Sequence, residues 1–490
     1  MVSQILEKIQ LYVEKGGVYL ALVAFLALLV AGLRVLDEAD GGLLQLRTAR
    51  SDFEDYYNAS VRMAEKGDLY RIQAARNMEE SADPGIDINN PIELLRFSMT
   101  PEGKAYLESI RGAGSYLYLP FFAFLLLPLS FVGYEVAVMV FQISCLVLLW
   151  TFFVLIRRSH DHMSREEFWY RAVLSMLPVA SFLSENAANA NVGFLLVFLC
   201  GGGLLLSTPD LTVESASEKK RPVHWMQYVG GALLGMAAVI KIMPVILGLY
   251  LVASRSYRAL IGATLAGIAC LFLPALYAGW GTNLGWHLEW YEMMIHTYSQ
   301  YGVVRPYANN QTISAAISKL FVAGSDPDQS TVGLPLIYRS LEELGSAGAF
   351  WLRTIIKTLV YGFLAMAVFM AILFSLRRKF LRPDKRPARI YFIQSLVLIS
   401  LLVSGVSWFH AYSLLLVPLA LRVYEPTPWS AEEFSMAGLI AFSGFGNLLF
   451  SGIFRDYLAL YSVHAWLMVA LTVWSMTLVF RFLRKEAEYA

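Results

Sequence analysis

A cluster of carboxylates follows the first long apolar run of this chain. The segment 51–57 reads Ser-Asp-Phe-Glu-Asp-Tyr-Tyr and comes shortly after the apolar stretch 17–35. A carboxylate that contacts a reacting hydroxyl can take its proton as a general base. Asp52 is our candidate for that role, and Asp55 is the reserve because it lies one helical turn further along a similar face. The sequence therefore predicts chemistry at one surface of a membrane.

A cation and an imidazole lie at the ends of other apolar runs, where a bilayer or its interface makes polar groups costly. Lys241 is nearly alone in the apolar stretch 235–244, and His410 follows Trp408 and Phe409. A lone lysine can simply extend to the interface, and a buried histidine can be structural. The functional alternative for Lys241 is an anionic head group, because a compact ammonium binds phosphate.

Amide side chains recur at two further places. Asn189 and Asn191 share one predicted turn with Asn186, and Asn310 and Gln311 lie together in a long polar segment. Amides of this kind either stabilise turns or contact a polar ligand. The sequence leaves both interpretations open.

The composition is that of a polytopic membrane protein and not of a globular enzyme. The chain is 57% apolar, 14% aromatic and 16% charged, with a mean hydropathy of +0.53. The three cysteines all fall within apolar runs, so no disulfide framework, zinc site or redox pair follows from them. The net charge is +1 and the basic residues are dispersed at segment ends, which argues against a nucleic-acid partner.

Apolar segments near the spanning length of about 20 residues recur along the chain. They predict an all-α polytopic fold of about twelve transmembrane helices in a single integral-membrane domain, 1–490. The first segment has no small-residue cleavage site and is interpreted as a retained helix. The predicted spans are about 17–35, 135–156, 170–184, 190–207, 227–240, 243–254, 258–278, 351–376, 390–408, 411–423, 435–453 and 462–482.

Two parts of this pattern, the short segment pairs and the stretch 117–131, allow more than one interpretation. The pairs 227–254 and 390–423 are interpreted as hairpins instead of long helices broken near their middles. The stretch 117–131 contains Pro120 and Pro128 and covers only about fifteen residues, which favours a helix that lies along the interface.

The distribution of Lys and Arg predicts the orientation, because short cytoplasmic loops carry the excess of positive charge. If 117–131 does not span, the basic clusters all fall on one side, with both termini. The long segments 36–134 and 279–350 then face outward, and we expect juxtamembrane helices in them. The basic clusters are Arg157-Arg158, Lys219-Lys220-Arg221, Arg255 with Arg258, 377–389 and Arg484-Lys485.

Several short motifs of this sequence together resemble those of a known family. The pattern Asp-Phe-x-x-Tyr-Tyr at 52–57, followed by Gly-Asp-x-Tyr at 67–70 and Tyr-x-Tyr-x-Pro at 116–120, resembles the GT-C class of membrane glycosyltransferases, in particular glycosyltransferase family 87. The family's Asn-x-Asn turn, Lys-x-x-Pro element, Asn-Gln loop and Trp-His tip have counterparts in the same order at 189–191, 241–244, 310–311 and 407–410. The sequence departs from the family at Leu119, where a proline is common, and at Ala411, where a second histidine is common.

The resemblance implies a chemistry and a role for each candidate. Family members of this kind transfer a sugar, typically mannose, from a polyprenyl-phosphate donor to a lipid or glycan acceptor outside the cytoplasm, with inversion. Asp52 is then the general base, and Lys241 and His410 stabilise the departing phosphate, with Arg305 as a weaker candidate. The remaining predicted donor-binding residues are Tyr56, Tyr118, Asn189, Asn191, Asn310, Gln311 and Trp408.

The sequence does not require a divalent metal, although Glu54 or Asp55 could recruit one. No cofactor is expected beyond the lipid-linked sugar, and the expected partners are that donor, the acceptor and membrane lipids. The expected location is a bacterial inner or plasma membrane. Two alternatives stay open, a lipid-linked sugar flippase and a non-catalytic scaffold of envelope assembly. The position of most polar clusters at segment ends on one side favours the transferase.

Overall fold

The protein folds into helices packed side by side, as seen in a computed structural model. The described part of the chain is 86% helical and contains no strand. This confirms the predicted all-α class. The described residues are 15–33, 52–70, 116–160, 162–208, 224–296, 310–321, 345–376, 386–425, 427–449 and 458–487, with the single residues 93, 97, 100 and 211.

The helices follow the predicted apolar segments closely. The first half contains α1 Gly17–Gly32, α2 Asp52–Ala64, α3 Pro120–Leu126, α4 Tyr134–Ser159, α5 Arg165–Met176, α6 Ala180–Ala188, α7 Gly193–Val197, α8 Gly203–Ser207 and α9 His224–Ile240. The second half contains α10 Gly248–Ala253, α11 Tyr257–Phe272, α12 Ala275–Ala278, α13 Trp280–Tyr291, α14 Ile313–Phe321, α15 Gly345–Leu376, α16 Arg386–Val403, α17 Leu416–Val423, α18 Ala431–Leu449 and α19 Val463–Ala487. Short 3₁₀ or π segments join several of them, including Phe409–Leu415 directly before α17.

Apolar helices of spanning length identify a membrane protein. Within the described ranges, five helices are long and apolar enough to cross a membrane. Shorter apolar helices of 10 to 17 residues accompany them, among them Gly17–Gly32 and Phe409–Val423. The count of about twelve spans stays a prediction. The long helices are Tyr134–Arg158, Tyr257–Ala278, Gly345–Leu376, Arg386–Val403 and Val463–Phe482.

Two glycines show how the helices around Lys241 run. A Cβ on Gly231 of α9 would lie 1.8 Å from the carbonyl oxygen of Ala259 in α11, and one on Gly235 would lie 2.3 Å from that of Ala263. Both contacts advance in the same direction along the two helices, so α9 and α11 are parallel. The chain must return between them, which makes 227–254 a hairpin, as predicted, with Lys241 at its tip.

Described parts of the two long segments 36–134 and 279–350 contact each other. The indole Nε1 of Trp286 donates to the carbonyl of Gly67 at 3.0 Å, and that of Trp290 donates to the carbonyl of Leu117 at 3.1 Å. These bonds hold α13 against the end of the α2 segment and the start of α3. The helix α3 has only 7 residues, with Pro120 in its first turn, and a 3₁₀ segment follows it to Phe131. The helix is too short to span a bilayer.

Candidate active site

Asp52 is positioned by the packing of α2. The helix buries Phe53, Tyr56 and Met63 along one face, a spacing that makes it amphipathic. The Phe53 ring lies 4.9 Å from that of Phe141 in α4, between ring centroids. Asp52 stands in the first turn of α2, where the helix dipole favours a negative charge.

Asn191 reaches Asp52 from a distant part of the chain. Its Nδ2 donates to Oδ2 of Asp52 at 2.6 Å and to the hydroxyl of Tyr56 at 3.0 Å. Tyr56 in turn shares a hydrogen bond of 2.9 Å with the hydroxyl of Tyr118, just before α3. Four predicted site residues are therefore joined in one hydrogen-bonded cluster.

His410 and Lys241 lie beside this cluster. The Nε2 of His410 is 3.7 Å from Oδ2 of Asp52, and the imidazole is buried. The partly exposed Lys241 acts electrostatically on both groups. The structure therefore places a carboxylate, an imidazole and a cation at one site, although they are far apart in the sequence.

The surroundings tune the two charged groups in opposite directions. Burial raises the pKa of the Asp52 carboxyl above its ordinary value, and the Asn191 hydrogen bond and the charge of Lys241 offset part of that rise. Burial lowers the pKa of the Lys241 ammonium to about 8, against the opposing effect of Asp52. A carboxylate with a raised pKa is a stronger base near neutral pH. The site therefore combines a carboxyl of raised pKa with a cation whose charge depends on pH near neutrality.

Asn310 and Gln311 hold the loop that carries His410. The Asn310 side chain accepts from the Ser407 N–H at 3.1 Å and donates to the Gly405 carbonyl at 3.3 Å. The Gln311 N–H donates to the Ser407 carbonyl at 2.8 Å, and the Gln311 carbonyl accepts from the Tyr412 hydroxyl at 2.8 Å. These bonds are contacts with protein and connect both residues to the segment beside the site, whereas their predicted contact with a donor stays a prediction.

The remaining predicted site residues, Asn189, Trp408, Asp55 and Arg305, differ in their relation to the cluster around Asp52. Asn189 donates to the backbone and the carboxylate of Glu185, at 2.8 and 3.3 Å, and is not joined to Asp52. Trp408 is partly exposed, with its ring 5.8 Å from that of His410 between centroids. Asp55 lies one turn further along α2 and acts electrostatically on Tyr118. Arg305 lies outside the described residues.

The sequence singled out the amides of the 186–191 turn but did not reveal that Asn191 bonds to Asp52. Asn191 and Asp52 are 139 positions apart, and no local pattern connects them. The one available signal was the resemblance to the family's Asn-x-Asn turn. Among the residues that the structure describes, no three His, Cys, Asp or Glu side chains are grouped as metal ligands. That the reaction requires no divalent metal stays a prediction.

Comparison with known proteins gives one match. The family model for glycosyltransferase family 87 matches residues 116–405, which is more than half of the chain. The matched range includes Tyr118, Asn191 and Lys241, whereas Asp52 and His410 lie outside it. Neither the search of curated proteins nor the search of solved structures gives a match.

Proposed function

Because the chain belongs to glycosyltransferase family 87, we propose that it transfers a hexose, in the first instance mannose, from a polyprenyl-phosphate donor to a hydroxyl of a lipid or glycan. The reaction takes place at the outer face of a bacterial inner or plasma membrane. The observation that supports this proposal is that Asp52, His410 and Lys241 lie together at one site.

The proposed step is a single displacement at the anomeric carbon. The acceptor oxygen forms a bond to that carbon while the bond from the carbon to the phosphate oxygen breaks. The acceptor proton passes to Asp52, and the polyprenyl phosphate leaves with one additional negative charge. A single displacement inverts the anomeric configuration.

Each group at the site has a part in this step. Asp52 removes the acceptor proton, a contribution of typically 10²–10⁴-fold for a general base. We assign the proton to Oδ1, because Oδ2 already accepts a hydrogen bond from Asn191. Lys241 and His410 stabilise the growing charge on the phosphate.

The test is transfer by purified protein. The protein is supplied with radiolabelled polyprenyl-phosphate mannose and a membrane lipid extract, and labelled products are separated and weighed. Asp52→Asn keeps the size of the side chain but cannot accept the proton, so turnover should fall by at least ~100-fold while donor binding survives. Asp55→Asn should have a milder effect.

The matched control is Glu65→Gln, the same carboxylate-to-amide change at an exposed position after α2. It should retain full transfer. Substantial transfer by Asp52→Asn would refute the assignment of the base. Movement of the lipid-linked sugar across the membrane without a covalent product would indicate a flippase, and a tolerated Asp52→Asn in cells would indicate a scaffold.

A further inference from the structure

We infer that Asn191 is a positioning residue: its side-chain amide orients the Asp52 carboxylate so that Oδ1 faces the acceptor hydroxyl. This inference rests on the proposed function, since it assigns Asn191 a role in the same reaction. It also replaces the sequence-based expectation that Asn191 contacts the donor.

The hydrogen-bonding capacity of the amide supports this assignment. A side-chain amide nitrogen has two N–H donors, and Asn191 directs one to Asp52 at 2.6 Å and the other to Tyr56 at 3.0 Å. No N–H of this side chain is therefore left for a sugar or a phosphate. Asn191 is also buried, with 4% of its surface exposed.

The turn that carries Asn191 is held firmly. The Asn191 N–H donates to the Asn186 carbonyl at 3.0 Å, and Gln142 of α4 donates to the carbonyl of Ala187 at 2.7 Å. Ala190 has a φ of +46°, a left-handed conformation that costs a non-glycine residue roughly 1–2 kcal/mol. Such a conformation persists where the surroundings enforce it.

Close packing fixes the other side of this turn. A Cβ on Gly193 would lie 2.0 Å from the side-chain amide of Asn186 and 2.6 Å from Oγ of Ser413. Ser413 belongs to the 3₁₀ segment that also carries His410. The turn that carries Asn191 is thus packed against the segment that carries His410. This packing fixes the positions of Asn191 and His410 relative to each other.

The Asn191–Asp52 bond should affect the protonation of Asp52 as well as its direction. A hydrogen bond to the ionised form of a carboxyl lowers its pKa, and Asn191 has this effect on Asp52. Without the amide, the pKa of Asp52 should rise further. Because any hydrogen bond to the carboxylate has this effect, the positioning role is tested by the labelling curve of Asp52 together with kcat and the donor KM.

The experiment measures the protonation of Asp52 directly. Full-length protein is treated with a water-soluble carbodiimide and an amine across a pH series, and modification of the Asp52 peptide is followed by mass spectrometry. Carbodiimides react with the protonated carboxyl, so the labelling curve reports the pKa of Asp52. In Asn191→Ala the labelling curve of Asp52 should shift to higher pH. The kcat should fall roughly ten- to a hundred-fold, and the donor KM should change little. The acid limb of the pH–activity profile should shift to higher pH together with the labelling curve.

Gln142→Leu is the matched control, because it removes a bond to the same turn but leaves the Asn191 amide in place. It should lower thermal stability without moving the labelling curve of Asp52. Asn191→Asp is a second variant of almost identical shape. A carboxyl opposite Asp52 can bond only when one of the pair is protonated, so this variant should also shift the curve upward.

Three results would overturn the inference. The first is an unchanged labelling curve in both Asn191 variants. The second is a raised donor KM with an unchanged pH profile, which would make Asn191 a donor ligand. The third is a shift of equal size in Gln142→Leu, which would make the effect structural.

The labelling needs no sugar donor, so the two proposals can fail separately. If the protein transfers no sugar but the curve of Asp52 shifts in Asn191→Ala, the proposed function is wrong, and only the control of Asp52 protonation by Asn191 stands. If transfer is observed and the curve does not move, the function stands and the positioning role is wrong.

Discussion

The imidazole Nε2 of His410 lies 3.7 Å from Oδ2 of Asp52. This separation is longer than a hydrogen bond, so the histidine is close to the base without orienting it. A group in this position can interact with the phosphate of a bound donor while the carboxylate serves the acceptor. On the proposed function, this arrangement would give the donor and the acceptor separate groups at the site.

Lys241→Met should weaken donor binding. The substitution removes a cation that lies within electrostatic reach of Asp52 and His410, and with it one charge-assisted contact to the donor phosphate. That loss corresponds to about 1.5–3 kcal/mol, or roughly ten- to a hundred-fold in affinity. Binding is measured with a non-transferable polyprenyl-phosphate analogue. Unchanged affinity in a folded variant would leave His410 as the remaining phosphate ligand.

The pH dependence of kcat/KM should have two limbs. Activity should rise with pH as Asp52 loses its proton, over a range above the ordinary one because its pKa is raised. It should fall as pH passes about 8, because the Lys241 ammonium then loses its charge. The measurement is the initial rate of transfer at low donor concentration, which reports the groups of the free enzyme.

Lys241→Arg identifies the group behind the alkaline limb. A guanidinium stays protonated throughout the accessible range, so the fall near pH 8 should disappear or move to higher pH while the acid limb stays in place. An alkaline limb that is identical in Lys241→Arg would belong to another group.

The predicted orientation places residues 36–134 and 279–350 outside and the segment 377–389 in the cytoplasm. Single cysteines at Asn90 and Ser325 should react with a membrane-impermeant maleimide in intact cells. The native Cys145, Cys200 and Cys270 are buried and should give little background. Labelling of either site only after the cytoplasmic face is opened would overturn the orientation and the outward position of Asp52.

Close packing of α9 on α11 should make two glycines intolerant of a methyl group. Gly231→Ala and Gly235→Ala would place a Cβ within 1.8 and 2.3 Å of carbonyl oxygens in α11. Overpacking of this kind costs typically about 1–3 kcal/mol, so the thermal midpoint in detergent should fall. Transfer should fall with it, because Lys241 lies at the tip of the hairpin that α9 begins.

Gly267→Ala in the same helix pair is the comparison. The nearest atom to its Cβ would be Cγ2 of Val239 at 4.0 Å, an ordinary contact. Alanine is also the better helix former by up to about 1 kcal/mol, so this variant should be as stable as the natural protein or more so. Equal loss of stability in all three variants would contradict the parallel packing of α9 and α11.

The sequence by itself determined the helical class, the positions of the apolar helices and the candidate base. These properties follow from local composition, because a bilayer requires long apolar helices and tolerates charge at their ends. The sequence left two interpretations of 227–254, and the parallel packing of α9 and α11 supports the hairpin. The match of residues 52–57 to a family pattern identified Asp52 as the candidate.

Only the tertiary structure decided which side chains meet. Asn189 and Asn191 are equivalent candidates in the sequence, yet the left-handed Ala190 between them sends one amide to Glu185 and the other to Asp52. Asn310 and Gln311 likewise bond to the His410 loop. Contacts across such sequence separations depend on how whole helices pack, and a single sequence carries no local signal for that packing.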